Sequence, residues 1–321
     1  MTKVSVLTPL YNPPERYLRE MIDSVLNQTL TDFEFIILND CPHDIRSEEI
    51  VLSYHDNRIL YLKNDTNLGI AQSRNKLIDL AKSDYLAVVD HDDISLPSRL
   101  QKEADFLDNH PECGVVSSWY RKIYGKRHLV RTRPETNAEI LSLMSKKCAV
   151  IHPAAMLRKS VLNQFHIRYE QQFSPAEDYA LFAQLVGKTQ FYNLQETLLL
   201  YRNFNGNTSH QKQRQMRENN AKIKKLIERK RLYKDEILRQ IHALDDDLRI
   251  LIRKEQALIL SKRKEKIYDN ISIWNLWLNK LGGYLMLQKE LITGLFGIGL
   301  LNSSDNGLDG EKWKKMLNFR L

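Results

Sequence analysis

Two short apolar runs that end on acids restrict the fold more than any other feature of the chain. They read FEFIILND, ending at Asp40, and YLAVVDHDD, ending at Asp93. A strand that is apolar without alternation is covered on both faces, as in a parallel sheet flanked by helices. The neighbouring segments agree. KVSVLTPLY is a first β-rich run, and a stretch with Leu18, Met21, Ile22 and Val25 at i, i+3, i+4, i+7 follows it. RILYLKN reads as a further strand, and GIAQSRNKLIDLAKS as a second helix with Ile70, Leu77, Ile78 and Leu80 near one face. The order β-α-β-β-α-β predicts an α/β domain with a mixed, mostly parallel sheet between helices.

In open sheets of this kind ligands bind outside the carboxyl ends of the strands. Those ends carry Thr8-Pro9-Leu10-Tyr11-Asn12, Asn39-Asp40, Asn64-Asp65 and Asp90-His91-Asp92-Asp93. Three carboxylates this close repel one another, so they need either wide solvation or a positive partner. A plain surface loop satisfies the first condition. Mg²⁺ or Mn²⁺ carrying a polyphosphate satisfies the second, because these cations take oxygen ligands and leave positions open for phosphate.

The rest of the chain has a different character. Residues 211–321 hold 24 Lys and Arg against 14 Asp and Glu, whereas residues 1–210 hold 24 against 26. The boundary expected from this shift separates a domain at 1–210 from a basic helical region at 211–321. Ile223, Leu226, Tyr233, Ile237, Ile241, Leu244, Leu248 and Leu251 recur near every 3.5 residues, as in a long helix, a helical hairpin or a coiled coil. Trp274, Trp277, Leu278, Leu281 and Leu285 form one apolar helical face; Trp313, Met316 and Leu317 lie beside Lys312, Lys314 and Lys315. Such faces suit peripheral docking on an anionic membrane surface, or packing on the first domain or on a second copy as a homodimer. No run reaches the roughly 18 apolar residues of a spanning helix. The start of the chain reads as a strand rather than a secretory signal. Cys41, Cys113 and Cys148 form no CxxC pair, so a zinc or disulfide framework is not expected and a reducing, cytoplasmic setting is.

Six segments, VSVLTPLYN, SVLNQTLTDFEFIILND, NLGIAQSRN, YLAVVDHDD, PAEDYAL and LYRNFNGNTS, occur in order over roughly residues 3–210. Together they resemble the signature of family 2 glycosyltransferases with the Rossmann-like GT-A fold, of the kind that builds bacterial polysaccharide or lipopolysaccharide. The resemblance implies a nucleotide-sugar donor, usually a UDP-sugar, a divalent cation (Mn²⁺ or Mg²⁺), inversion at the anomeric carbon, and a glycan or lipid-linked glycan acceptor. By the same resemblance Thr8, Pro9 and Tyr11 pack around base and ribose, and Asp40 bonds the uracil edge or, alternatively, caps a loop. Asn67, Gly69 and Arg74 match NxGxxxxRN. Gly69 would admit close backbone approach, and Arg74 would meet diphosphate or base unless it is an ordinary helix-surface residue. Asp92 is implied as a metal ligand, Asp90 as a ligand of metal or ribose, and Asp93 as a direct or indirect support; His91 fills a variable position. Asp178 resembles the catalytic base, with Glu177 orienting base or acceptor; a helix N-terminus also favours acids for its dipole alone. His152-Pro153, followed by Arg158, resembles a recurrent element of the family that is either functional or structural. One departure is Phe204, which stands where many relatives carry His in YRxHxxN; His210 lies six positions later.

Two other function classes compete. Nucleotidyltransferases also use strand-end carboxylates with Mg²⁺, but they begin with a Gly-rich basic loop, and LTPLYNPPE has no glycine. Nucleic-acid binding through the basic region is not expected, since its charges are mixed as on a solvated helix.

Overall fold

The computed structural model describes residues 2–125, 127–204 and 212–229. The apolar faces expected beyond residue 230, with their membrane or dimer contacts, and His210 lie outside the described residues.

The first half of the chain alternates as expected, with one addition. Strand β1 (Val4–Leu10) leads to helix α1 (Glu15–Leu26), strand β2 (Phe33–Asn39), helix α2 (Ile45–Leu52), strand β3 (Ile59–Lys63), helix α3 (Ile70–Leu80) and strand β4 (Tyr85–Val88). Helix α2 corrects the β-α-β-β-α-β order. β2 and β3 pair in parallel, and a parallel pair needs a crossover over one face of the sheet. The eight residues of α2 supply it, opened by the Asp44 side chain accepting from the Ser47 amide. Only Ser47, Ile50 and Val51 of this helix are buried, which is too narrow a face to stand out by periodicity.

The second half runs through β5 (Ile94–Ser95), α4 (Arg99–Asn109), β6 (Cys113–Tyr124), β7 (Arg127–Arg131), α5 (Asn137–Met144), β8 (Met156–Arg158), α6 (Lys159–Gln164), α7 (Glu177–Leu185) and β9 (Gln190–Arg202). Residues 213–229 form a further helix, α8. The sheet order is β3-β2-β1-β4-β8-β6-β9-β5, with β7 paired to β6 outside that path. β3, β2, β1 and β4 run parallel, and β8 enters antiparallel to both β4 and β6. All seven residues of β1 and of β2 are buried, the two-faced coverage that their unbroken apolar runs require. Leu18, Met21, Ile22 and Val25 of α1 are buried too, and each such side chain is worth roughly 1.5–3 kcal/mol.

The compact unit runs Met1–Lys230, past the expected boundary at 210. Helix α8 belongs to it for a visible reason. Ile223 and Ile227 are buried, and the Asn219 amide donates to the carbonyls of Phe173 and Ser174 at 2.8 and 3.0 Å.

One buried cation fixes the segment between β4 and β5. Arg99 is fully buried. Its guanidinium donates to the Val88 carbonyl (2.9 Å), to Ser95 Oγ (3.1 Å) and to Glu103 Oε1 (3.1 Å). It therefore ties down both ends of the stretch that carries Asp90, Asp92 and Asp93. Removing one member of a buried pair strands the other charge, at about 3–5 kcal/mol, whereas removing both is far milder. Arg99→Leu should lower unfolding free energy by about that amount in urea titration, and Arg99→Leu with Glu103→Leu should recover most of the loss. Equal losses in the single and double variants would show that the pair itself is not the source.

Candidate active site

Because β1, β2 and β4 run parallel, their carboxyl ends open on the same side of the sheet, and a cleft of about 880 Å³ lies there. Pro9, Tyr11, Asp40, Asn67, Arg74, Asp90, Asp92, Glu177 and Asp178 all line it. Residues far apart in sequence are thus brought together as expected. Two expected residues are not at its wall. Thr8 is fully buried, and its hydroxyl has no hydrogen-bond partner among the described residues. Asp93 lies behind its neighbours, with Oδ1 accepting the Arg202 backbone amide at 2.8 Å.

Asp40 holds a loop. Its Oδ1 accepts from Asn64 Nδ2 and the Leu68 amide, and its Oδ2 from the Gly69 amide, each at 2.8 Å. The Asn67 side chain accepts the same Gly69 amide at 2.9 Å. Gly69 adopts φ +82°, and a Cβ there would sit 3.1 Å from the Gln171 side chain. Both facts favour glycine. The loop-capping role of Asp40 is therefore built into the fold, while the residue still faces the cleft.

Arg74 is not an ordinary surface residue of α3. It is buried, donating to Glu177 Oε1 at 2.7 Å and to Asp90 Oδ1 at 3.0 Å, with its guanidinium 5.5 Å from the Tyr169 ring centre. Glu177 is thereby committed to Arg74, although its Oε2 has no hydrogen-bond partner among the described residues. Asp178 sits in the first turn of α7 and accepts the Tyr179 amide at 2.7 Å. Burial pushes its carboxyl up to about 6; the Glu177 charge adds to this and Arg74 opposes it. Those two neighbours thus tune Asp178 from opposite sides.

The positive charge that the aspartates call for comes partly from Arg202, the Arg of the LYRNFNGNTS segment, to which the sequence assigned no role. Its Nε donates to the Asp92 carbonyl at 2.9 Å, it pairs with Glu20, and its guanidinium stacks 4.1 Å over the Tyr17 ring. Phe204 packs edge-on against the same ring at 5.2 Å. The position where relatives carry His is thus an aromatic support in this chain. Even so, burial raises the Asp92 carboxyl above its ordinary value. Burial and the charges of Asp92 and Asp90 raise Asp93 well above the carboxylate range. Asp93 Oδ2 has no hydrogen-bond partner among the described residues. The cluster remains short of positive charge, which is a fit for a cation. Among the described residues no three His, Cys, Asp or Glu converge on one metal position. The arrangement therefore suits a cation held largely by ligand phosphates, with Asp92 and Asp90 as the carboxylates at hand.

His152 lines the cleft and shares a 2.7 Å hydrogen bond with the Tyr169 hydroxyl. Burial, aided by the charges of Arg74 and Arg99, drops its pKa well below the usual imidazole value, so the ring is neutral. Arg158 is a strand clamp that donates to the Leu107 carbonyl at 2.9 Å. His91 does face the cleft. Residues that no sequence pattern flagged also line it, among them Tyr120, Lys122, Arg133 and Lys212. For Lys122 and Arg133 the only sequence signal is the run of basic residues at 121–133.

A mixed sheet of this order with a strand-end cleft is the GT-A fold. The chain belongs to glycosyl transferase family 2, whose sequence model matches residues 5–165. It is 35% identical over 205 residues to an uncharacterized glycosyltransferase of Methanocaldococcus jannaschii, covering 62% of this chain and 70% of that protein. An uncharacterized glycosyltransferase of Rickettsia typhi is 27% identical over 312 residues, 92% of each chain. Among solved structures, Staphylococcus aureus TarS (residues 1–349) in complex with UDP-GlcNAc superposes with a TM-score of 0.57 at 22% identity, covering 92% of this chain and 84% of that one.

Losing the Asp40 carboxylate removes three hydrogen bonds and leaves the Leu68 amide without its acceptor, while the Gly69 amide keeps Asn67; an unmet group of this kind costs about 1–3 kcal/mol when shielded from water. Asp40→Ala should therefore lower the thermal unfolding midpoint clearly, as calorimetry would read. An unchanged midpoint would mean that the 64–69 loop is held by other contacts.

Proposed function

We propose that the protein is an inverting glycosyltransferase that moves a hexosyl or N-acetylhexosaminyl group from a UDP-sugar to a hydroxyl of a glycan acceptor in surface polysaccharide or lipopolysaccharide assembly. The observation that carries this reading is a single cleft with Asp90 and Asp92 at strand ends and Asp178, its carboxyl near 6, facing the same space. Family membership supports it, as does the fold shared with a protein crystallised with UDP-GlcNAc.

In this reading Pro9 and Tyr11 flank the nucleoside, with Asp40 and the loop it caps on the other side. Asp92 and Asp90 would hold Mn²⁺ or Mg²⁺, which supplies charge neutralisation to the diphosphate leaving group. Asp178 accepts the proton of the acceptor hydroxyl while that oxygen bonds to the anomeric carbon. The sugar–phosphate bond breaks on the opposite face, so UDP departs with the electron pair and configuration inverts. Burial, with Glu177 adding to it and Arg74 opposing it, brings the Asp178 pKa to about 6, close to where a general base is most effective. The setting proposed for the enzyme is cytoplasmic, peripheral on the inner membrane face through the region after residue 230; among the described residues no helix is long and apolar enough to cross a membrane.

Asp178 must be ionised to act, so transfer should be full above about pH 6 and fall below it, in step with its raised pKa. Asp178→Asn should cut kcat on the order of 10²-fold or more with little change in UDP-sugar affinity, and should abolish that acidic limb. Loss of donor binding ahead of turnover would make Asp178 a binding residue instead. Transfer should also require Mn²⁺ or Mg²⁺. Asp92→Ala should lose most UDP-sugar binding in titration calorimetry, and undiminished transfer in excess EDTA would remove the cation from the mechanism.

A further inference from the structure

Residues 121–133, RKIYGKRHLVRTR, contain six Lys and Arg and no Asp or Glu. They form the β6–β7 hairpin, with Lys122 opposite Leu129 and Tyr120 opposite Arg131, and its exit. β7 is exposed along its whole length. Arg127 and Arg131 lie on one face of it, about 13 Å apart by strand rise. Among the described residues Arg121, Lys122, Arg127, Arg131 and Arg133 form no ion pair. The ladder sets Arg121, Lys122, Arg127 and Arg131 opposite uncharged residues, so no cross-strand carboxylate offsets their charge.

The hairpin is continuous with the cleft. Tyr120, Lys122 and Arg133 line it. Arg133 lies 5.1 Å from the Tyr120 ring centre, donates to the Thr132 carbonyl at 3.0 Å, and keeps a shielded Nε without a hydrogen-bond partner among the described residues. Arg133 shares the cleft wall with Cys148 and Asp178. A guanidinium fork that meets no carboxylate among the described residues matches phosphate or carboxylate bidentately.

We propose that the acceptor is an anionic glycan chain bearing phosphate or carboxylate groups, which lies along the β6–β7 hairpin, is gripped by Arg133 at the cleft wall, and presents its hydroxyl to Asp178. This rests on Asp178 being the base. A membrane surface would also meet the exposed cations, but it would leave unexplained the pair that continues into the cleft.

The test measures binding to full-length protein saturated with UDP and Mn²⁺. The probes are oligoglucuronate, oligo(glycerol phosphate) and a neutral dextran oligosaccharide of equal length. At least one anionic probe should bind tenfold or more tightly than dextran, and which one does so tells carboxylate from phosphate. Arg127→Gln/Arg131→Gln/Arg133→Gln should abolish that preference, while Lys222→Gln/Lys225→Gln on exposed α8 positions should not. Should the triple variant fail to fold, Arg127→Gln/Arg131→Gln, at exposed sites, should still reduce it. The proposal is overturned if dextran binds equally well, if the α8 variant acts like the hairpin variants, or if UDP affinity drops by the same factor as probe affinity. With phosphatidylglycerol vesicles as a further probe, it is also overturned if the hairpin variants lose binding to the vesicles alone. UDP release from UDP-sugars without acceptor, measured on the native protein, reports separately on the glycosyltransferase reading.

Discussion

The guanidinium of Arg74 lies buried between Asp90, at the end of β4, and Glu177, at the start of α7. The end of β4 and the start of α7, far apart in sequence, meet through it. Taking these charges out of water costs several kcal/mol per ion, so such a cluster adds little net stability over an apolar substitute. Its consequence is placement. The strand-end aspartates and the helix that carries Asp178 keep one mutual geometry because both are bound to one planar cation.

The same economy of charge runs across the cleft. Arg99 anchors the acidic segment from beneath, through Val88 and Ser95, and Arg202 approaches Asp92 and Asp93 from β9. Neither offsets the cluster fully, as the raised carboxyl pKa values of Asp92 and Asp93 record. For the function proposed above, a site left acidic on one wall and basic along the β6–β7 hairpin would keep a cation with its diphosphate apart from an anionic chain. Without that separation the two anions would compete for the same positive groups.

These buried charges also divide the labour between stability and chemistry. Apolar burial in β1, β2 and α1 supplies the stabilisation. That surplus offsets a Glu177 oxygen and an Asp93 oxygen left without hydrogen-bond partners among the described residues. Strain of this kind at a ligand cleft is where local rules give way to function.

Periodicity and run composition alone established the apolar strands, the buried face of α1 and the strand ends that carry Asp40, Asp90 and Asp92, because each depends on neighbours within one element. The ordered motifs added the family and pointed to Asp178. Helix α2 was not legible, since a short helix with three buried residues leaves no clear period. The roles of Arg74, Arg202 and Arg133 were decided only by tertiary structure. Arg74 is marked by its motif as a ligand contact, but its partner Glu177 comes to it only through α7. Arg202 meets the aspartates only because β9 pairs with β5 and β6 in one register. Arg133 reaches the cleft only because a hairpin folds back over β6. Sequence specifies local burial through spacing, but the partner of a charge is set by which distant strand end or helix start the whole fold places beside it.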